Sequence, residues 1–366
     1  MNDVGQNVLT TRQVFLLLIL STGLINHVMI IPNLLYAAGR DAWVSVLFTL
    51  PAYFLFLYIL LFIIKYVKHQ HIYEWCKFHF GKVFATIYIL PIFLFLFLNT
   101  AVTLKDTTLW LNTYFLAESP PIVGILLLSF VSFIGSFLGI KILAIVAGII
   151  LPTVVLLGFL IMGVNTTEKN PSLLLPLFEN GYQPSLNGIV YVSAGLLEIF
   201  LVILLLPYIK TPIRYKHLFI LGVILVGLIL GPLSAAIMEY GPIEASNLRY
   251  PAYEQWRLLR VGEYISNMDF FALYQWMSGA FIRISLFMYL LQTLVWKKRK
   301  WLLFIGGYVL LIATSMIPAD YFAFNTFLYT YYFKGMTFFL LGLTVLTLCL
   351  AFIVKKRSNQ HEKKTS

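Results

Sequence analysis

Charge is what this chain has least of. Only 11% of its 366 residues are Asp, Glu, Lys or Arg, against roughly a quarter in an ordinary soluble domain. With 60% hydrophobic and 16% aromatic residues beside them, too little polar surface remains to cover a water-soluble globule, and an integral membrane protein is expected. Cysteine is nearly absent. Cys76, placed in an inner loop, and Cys349, in the last apolar run, exclude a disulfide framework. His69 and His71 stand in a basic loop without a matching carboxylate or cysteine spacing, so neither a metal nor a cofactor is expected. No phosphate loop, nucleophile elbow or HExxH helix occurs, which argues against an enzyme. Basic segments interleaved with stacking aromatics are lacking too, so no nucleic-acid partner is implied. The first apolar run lacks a small-x-small cleavage site and is too long for a removable signal peptide; it is expected to stay as a span.

What is present is apolar length. Runs at about 14–36, 42–64, 83–103, 121–138, 140–164, 186–208, 217–238, 268–296, 301–317 and 335–354 each approach the ~20 residues that cross a bilayer core. The chain is thus expected to be all-α with ten transmembrane helices in a single domain. Gly139 and Lys141 alone separate the fourth run from the fifth. Basic residues supply the orientation, because cytoplasmic segments hold most Lys and Arg. With the N-terminus inside, 18 of the 26 Lys and Arg fall on the cytoplasmic side, from Arg12 through Lys65, Lys68, Lys210, Lys297, Lys298 and Arg299 to Lys355, Lys356 and Arg357. The net charge of +11 therefore records orientation, with both termini cytoplasmic. The polar tail, 355–366, reads as disordered. On the outer side a turn-rich connection at 165–185 is expected from Pro171, Pro176, Gly181 and Pro184. The pattern from Tyr253 to Val261 predicts a short amphipathic helix on the outer surface, an interfacial anchor or a gate.

Two runs are interrupted near their middles, the first and the sixth, which open two five-run halves. The first reads Ser21-Thr22-Gly23-Leu24-Ile25-Asn26-His27 and the sixth Ser193-Ala194-Gly195-Leu196-Leu197-Glu198. Interrupted helices at matching positions of two halves point to a binding site at the bilayer midplane, where ligand, water or protein replaces the lost backbone bonds. Amides around Ile25, Asn26 and His27 would then suit a ligand carboxylate. Glu198 lies deep in the sixth run and needs a partner. Arg283 is the basic residue at comparable depth. Asp269, Trp276 and Arg283, spaced by seven, share one inward helix face with Ala272 and Gly279. Such a scaffold suits a ligand sensor; an amino acid or amine secondary transporter and a channel are the alternatives.

Several stretches together resemble the B-subunit, permease-like proteins of spore germinant receptors, a branch of the amino acid-polyamine-organocation superfamily. They are Pro32 followed by Gly39-Arg40-Asp41-Ala42-Trp43, Leu175-Pro176-Leu177-Phe178-Glu179-Asn180-Gly181, Gly195-Leu196-Leu197-Glu198, and the stretch from Arg260 through Asp269 to Trp276. Asn267 stands where a basic residue is common in that family. The resemblance implies a LeuT-type, five-plus-five inverted repeat with broken helices 1 and 6, the first repeat at about 12–164 and the second at 186–354. It implies a pocket among spans 1, 3, 6 and 8, to which Thr100 of the third span is assigned, and a small germinant, commonly an L-amino acid. Implied partners are an A subunit, a lipoprotein C subunit and the lipid of the spore inner membrane.

Overall fold

A computed structural model describes residues 8–259, 268–294, 300–318 and 320–365, so Arg260, Val261, Asn267, Lys297, Lys298 and Arg299 lie outside the described residues. Within them the elements are helices, joined by one isolated parallel bridge between Leu9 and Ile209. In chain order the first are α1 (Thr11–Leu24), α2 (Ile30–Ala38), α3 (Ala42–Val67), α4 (Ile72–Phe80) and α5 (Lys82–Tyr114). Then come α6 (Pro121–Leu138), α7 (Ile140–Val164), α8 (Gln183–Leu196), α9 (Leu201–Leu205) and α10 (Tyr215–Tyr240). The remainder are α11 (Pro242–Asn247), α12 (Pro251–Leu258), α13 (Phe270–Leu294), α14 (Lys300–Met316), α15 (Tyr321–Phe327) and α16 (Phe333–Thr365). Hydrocarbon offers no partner for backbone groups, so sequences this apolar close their hydrogen bonds within helices.

Eight stretches among the described residues are long and apolar enough to cross a membrane: Thr11–Val67, Lys82–Tyr114, Pro121–Leu138, Ile140–Glu168, Gln183–Tyr208, Tyr215–Tyr240, Phe270–Leu294 and Tyr321–Gln360. Phe304–Met316 is a shorter apolar helix. The 57 residues of Thr11–Val67 would reach about 85 Å if straight, nearly three bilayer cores. Gly39, at φ +54°, turns the chain between its two legs. Gly139, at φ +90°, does the same between α6 and α7, where the closest pair of expected spans meets.

The two expected interruptions take a milder form than a break. Between α1 and α2 the chain makes a π turn, Ile25–Met29, and between α8 and α9 a 3-10 turn, Leu197–Phe200. The backbone stays helical through both. Ile25 N–H donates to the Thr22 carbonyl and Ile30 N–H to the Ile25 carbonyl. The expected carboxylate site on free amides at 25–27 is corrected accordingly: a change of pitch costs less in lipid than unwinding, which would strand polar groups. A second π turn, Leu328–Tyr332, lies between α15 and α16.

Four further expectations change. The third run extends to Tyr114 and takes Lys105 and Asp106 into the helix. Cys76 sits buried on α4 instead of in a loop, where burial pushes its thiol up to about 12. The amphipathic segment is the short helix α12, and it does not lie on the surface: Tyr253, Gln255 and Trp256 are buried in the bundle. The tail is helical through Thr365, because Lys, Arg, Gln and Glu are good helix formers and no Gly or Pro interrupts them.

Burial locates the centre. The most apolar window of Gln183–Tyr208 is 83% buried and that of Phe270–Leu294 72%, against 17% for Ile140–Glu168. The sixth-run helix and α13 thus form the middle, and α7 lies at the periphery. Helix α13 packs on α5, α1, α6 and α7, while α8 packs on α3, α2 and α16.

Candidate functional site

At the centre, α13 carries Arg283 into a fully buried cage. Its Nη1 donates to Glu198 Oε2 at 2.7 Å and its Nη2 to Glu198 Oε1 at 2.5 Å. The other N–H groups reach Thr103 Oγ1 at 3.0 Å, the Ser21 carbonyl at 3.0 Å and Asn99 Oδ1 at 2.9 Å. All five donors of the guanidinium are therefore used. Tyr332 donates to the same Asn99 Oδ1 at 2.8 Å, and the Phe287 ring lies 4.5 Å below the guanidinium carbon. Local chain geometry prepares both ends. Ile25 N–H bonds three residues back to Thr22, so the Ser21 carbonyl is free to accept from Arg283. Tyr332 is brought in by the second π turn.

Beside this clasp, α1 and the π turn after it present buried polar atoms with no hydrogen-bond partner: Ser21 Oγ, Thr22 Oγ1, and both Asn26 Nδ2 and Oδ1. Asn26 fills the notch left by Gly195 so tightly that a Cβ at 195 would sit 1.7 Å from Asn26 Oδ1 and 2.4 Å from Ile30 Cδ1. The two expected ligand segments, 21–27 and 193–198, therefore meet here.

The residues singled out from the sequence fall into three groups. Thr22, Ile25, Asn26, Ala194, Gly195, Glu198 and Arg283 are buried, and among them Arg283 pairs with Glu198 and Asn26 packs on Gly195. Gly23, Leu24 and Trp276 line a separate cavity of about 510 Å³ on the opposite side of α1. Thr100 and Ser193 belong to neither; the Thr100 hydroxyl donates to the Leu96 carbonyl of its own helix at 2.8 Å. The cavity lies among α1, α7, α10, α12 and α13, so of the four runs expected to form the pocket it includes the first and eighth but not the third and sixth.

Sequence reasoning missed Asn99, Thr103 and Tyr332, which complete the clasp. It also missed a buried ion pair between Asp106 and Arg249, whose guanidinium stacks 4.6 Å over the Tyr250 ring. A usable signal existed. Asn99, Thr103, Asp106 and Trp110, spaced by four, three and four, form one inward stripe of α5, all fully buried. Trp110 stacks on Trp276 at 4.1 Å, so the stripe joins the α13 face that carries Arg283. Asp269, on that face, accepts from the Tyr253 hydroxyl at 2.8 Å.

Comparison with known proteins gives the arrangement a relationship. Residues 8–322 match the family model described as spore germination protein. The chain is 40% identical to spore germination protein XB of Bacillus anthracis over 283 residues, 77% of this chain and 79% of that protein. It is 24% identical to spore germination protein KB of Bacillus subtilis (strain 168) over 288 residues, 77% and 76% of the two chains. An all-helical bundle with eight membrane-length apolar helices, matched over most of its length by these proteins, belongs to the spore germination permease family of integral membrane proteins.

Proposed function

We propose that this chain is the ligand-sensing membrane subunit of a spore germinant receptor. A small nutrient, in the first instance an L-amino acid, binds between the first and sixth helices and biases how they pack. One observation carries the reading: the unpartnered Ser21, Thr22 and Asn26 polar atoms, buried beside Gly195 and a satisfied Glu198–Arg283 pair. Each buried orphan costs about 1–3 kcal/mol. A polar ligand that supplies their partners stabilises one packing of α1 on α8 over another, which is what a sensor requires. Thr22, Ile25, Asn26, Ala194, Gly195, Glu198 and Arg283 are the residues assigned to this response.

The scaffold reading is compatible with ten crossings in two halves, 12–164 and 186–354. Dividing Thr11–Val67 at Gly39 raises eight stretches to nine, and Phe304–Met316 supplies the tenth. Its partners are an A subunit and a lipoprotein C subunit, its place the spore inner membrane, and both termini face the cytoplasm. Ion-coupled transport is disfavoured by how the candidate ion ligands are engaged. Both Glu198 oxygens serve Arg283, Asp269 serves Tyr253, and Ser285 Oγ donates to the Ser132 carbonyl at 3.2 Å. The test is binding and uptake of labelled amino acids and sugars by the purified chain in liposomes, with and without the partner subunits. Binding without uptake is expected; uptake by the chain alone would replace the sensor by a permease.

A further inference from the structure

The cavity behind α1 has the dimensions and polarity of a lipid site. We infer that it holds one acyl chain of an amine-bearing phospholipid, admitted from the bilayer between α7 and α10. Its lining on α10 runs from Ile224 to Glu239, a length of about 22 Å at ~1.5 Å per residue. Spread over that length, 510 Å³ leaves a mean cross-section of about 23 Å², wide enough for a single extended hydrocarbon chain. Gly227 and Gly231 smooth the α10 wall: a Cβ at either would meet nothing within 4 Å.

The way in is lateral. Val155, Phe159, Met162 and Ile224 line the cavity and are also exposed on the flank of the bundle. Helix α12 is pinned over the middle of the α10 wall, with Gln255 Nε2 donating to the Pro232 carbonyl at 2.8 Å and Trp256 Nε1 to Gln275 Oε1 at 3.1 Å.

The polar end selects the headgroup. Glu239, its side chain 1% exposed, lines the cavity near the end of α10, where a membrane helix leaves hydrocarbon. Its Oε2 has no partner, and Lys169 Nζ stands 3.9 Å from its Oε1. An ammonium supplies the donor that Oε2 lacks, and the neighbouring phosphate suits Lys169. Below them Trp276 Nε1, a donor without an acceptor, lines the wall and suits an ester carbonyl. The first run thus has Asn26 against Gly195 of α8 and Gly23, Leu24 and His27 toward the lipid, whose presence holds it in place.

The test exposes the delipidated full chain to equal amounts of phosphatidylethanolamine and phosphatidylglycerol and counts retained lipid by native mass spectrometry. The wild-type chain is expected to keep one phosphatidylethanolamine with about tenfold preference, the worth of one charge-assisted hydrogen bond. Gly227→Leu and Gly231→Leu should abolish retention, and Glu239→Gln should erase the preference while a lipid still binds. Gly306→Leu, at a glycine with equally open surroundings on α14, should change nothing. Equal retention of both lipids by the wild-type chain overturns the inference whatever the variants do, and so does undiminished retention in a monodisperse glycine variant.

Discussion

Arg283 and Glu198 depend on each other unequally. Both of the carboxylate's hydrogen bonds come from Arg283, whereas Arg283 also bonds Asn99, Thr103 and Ser21 and lies over Phe287. Arg283→Ala therefore strands a buried carboxylate and should cost about 3–5 kcal/mol. Glu198→Gln should cost less, since the guanidinium keeps its other acceptors and the amide oxygen. Thermal unfolding of the solubilised variants, followed by tryptophan fluorescence, measures both. The charge-free double change Glu198→Gln with Arg283→Met should regain part of the Arg283→Ala loss; no recovery would mean that the charge was never the reason for it. Gly195 gives a second test at this scale. With Asn26 Oδ1 where a Cβ would go, Gly195→Ala should lower stability by about 1–3 kcal/mol through overpacking. Adding Asn26→Ala should return most of that, and a purely additive pair would deny the contact.

At the scale of elements, the two expected interruptions are changes of pitch, a π turn at Ile25–Met29 and a 3-10 turn at Leu197–Phe200. A π turn contains one residue more than the α-helical turn it replaces, so Ile25–Met29 sets the rotation of everything before it. Removing Val28 should restore α geometry and swing α1 by about 100°, taking the Ser21 carbonyl away from Arg283. The shortened chain should still insert, since its apolar length barely changes, yet spores carrying it should not answer nutrient. Immunoblots of the inner-membrane fraction beside germination assays separate these outcomes. A normal response would show that the pitch of the first helix is irrelevant to sensing.

For the whole molecule, the question is what drives the response. A ligand that prefers one packing of the two halves tenfold supplies about 1.4 kcal/mol, and no transmembrane gradient enters that sum. Collapse of the sodium and proton gradients should leave the nutrient response of intact spores unchanged. Asp269→Asn and Ser285→Ala should shift that response less than substitutions at Gly23 or Gly195. A response that vanishes on gradient collapse while binding persists would transfer the function to coupled transport.

The sequence alone determined the membrane, the places of most spans, the division at Gly139 and the pairing of Glu198 with Arg283. These follow from composition and from the cost of charge in hydrocarbon, both local quantities that a linear chain displays. It placed the irregularities of the first and sixth helices within a few residues. It did not set their kind, because whether a helix unwinds or merely changes pitch depends on which neighbours donate to its free carbonyls, and here Arg283 donates to that of Ser21. Only the tertiary structure brought Asn99, Thr103 and Tyr332 to the arginine, drew α12 inward over Gln275, and turned Gly23 to a cavity that the neighbouring Thr22 does not line. Adjacent residues on a helix point about 100° apart, and the chain cannot say which direction holds a neighbour and which holds space until the helices have packed.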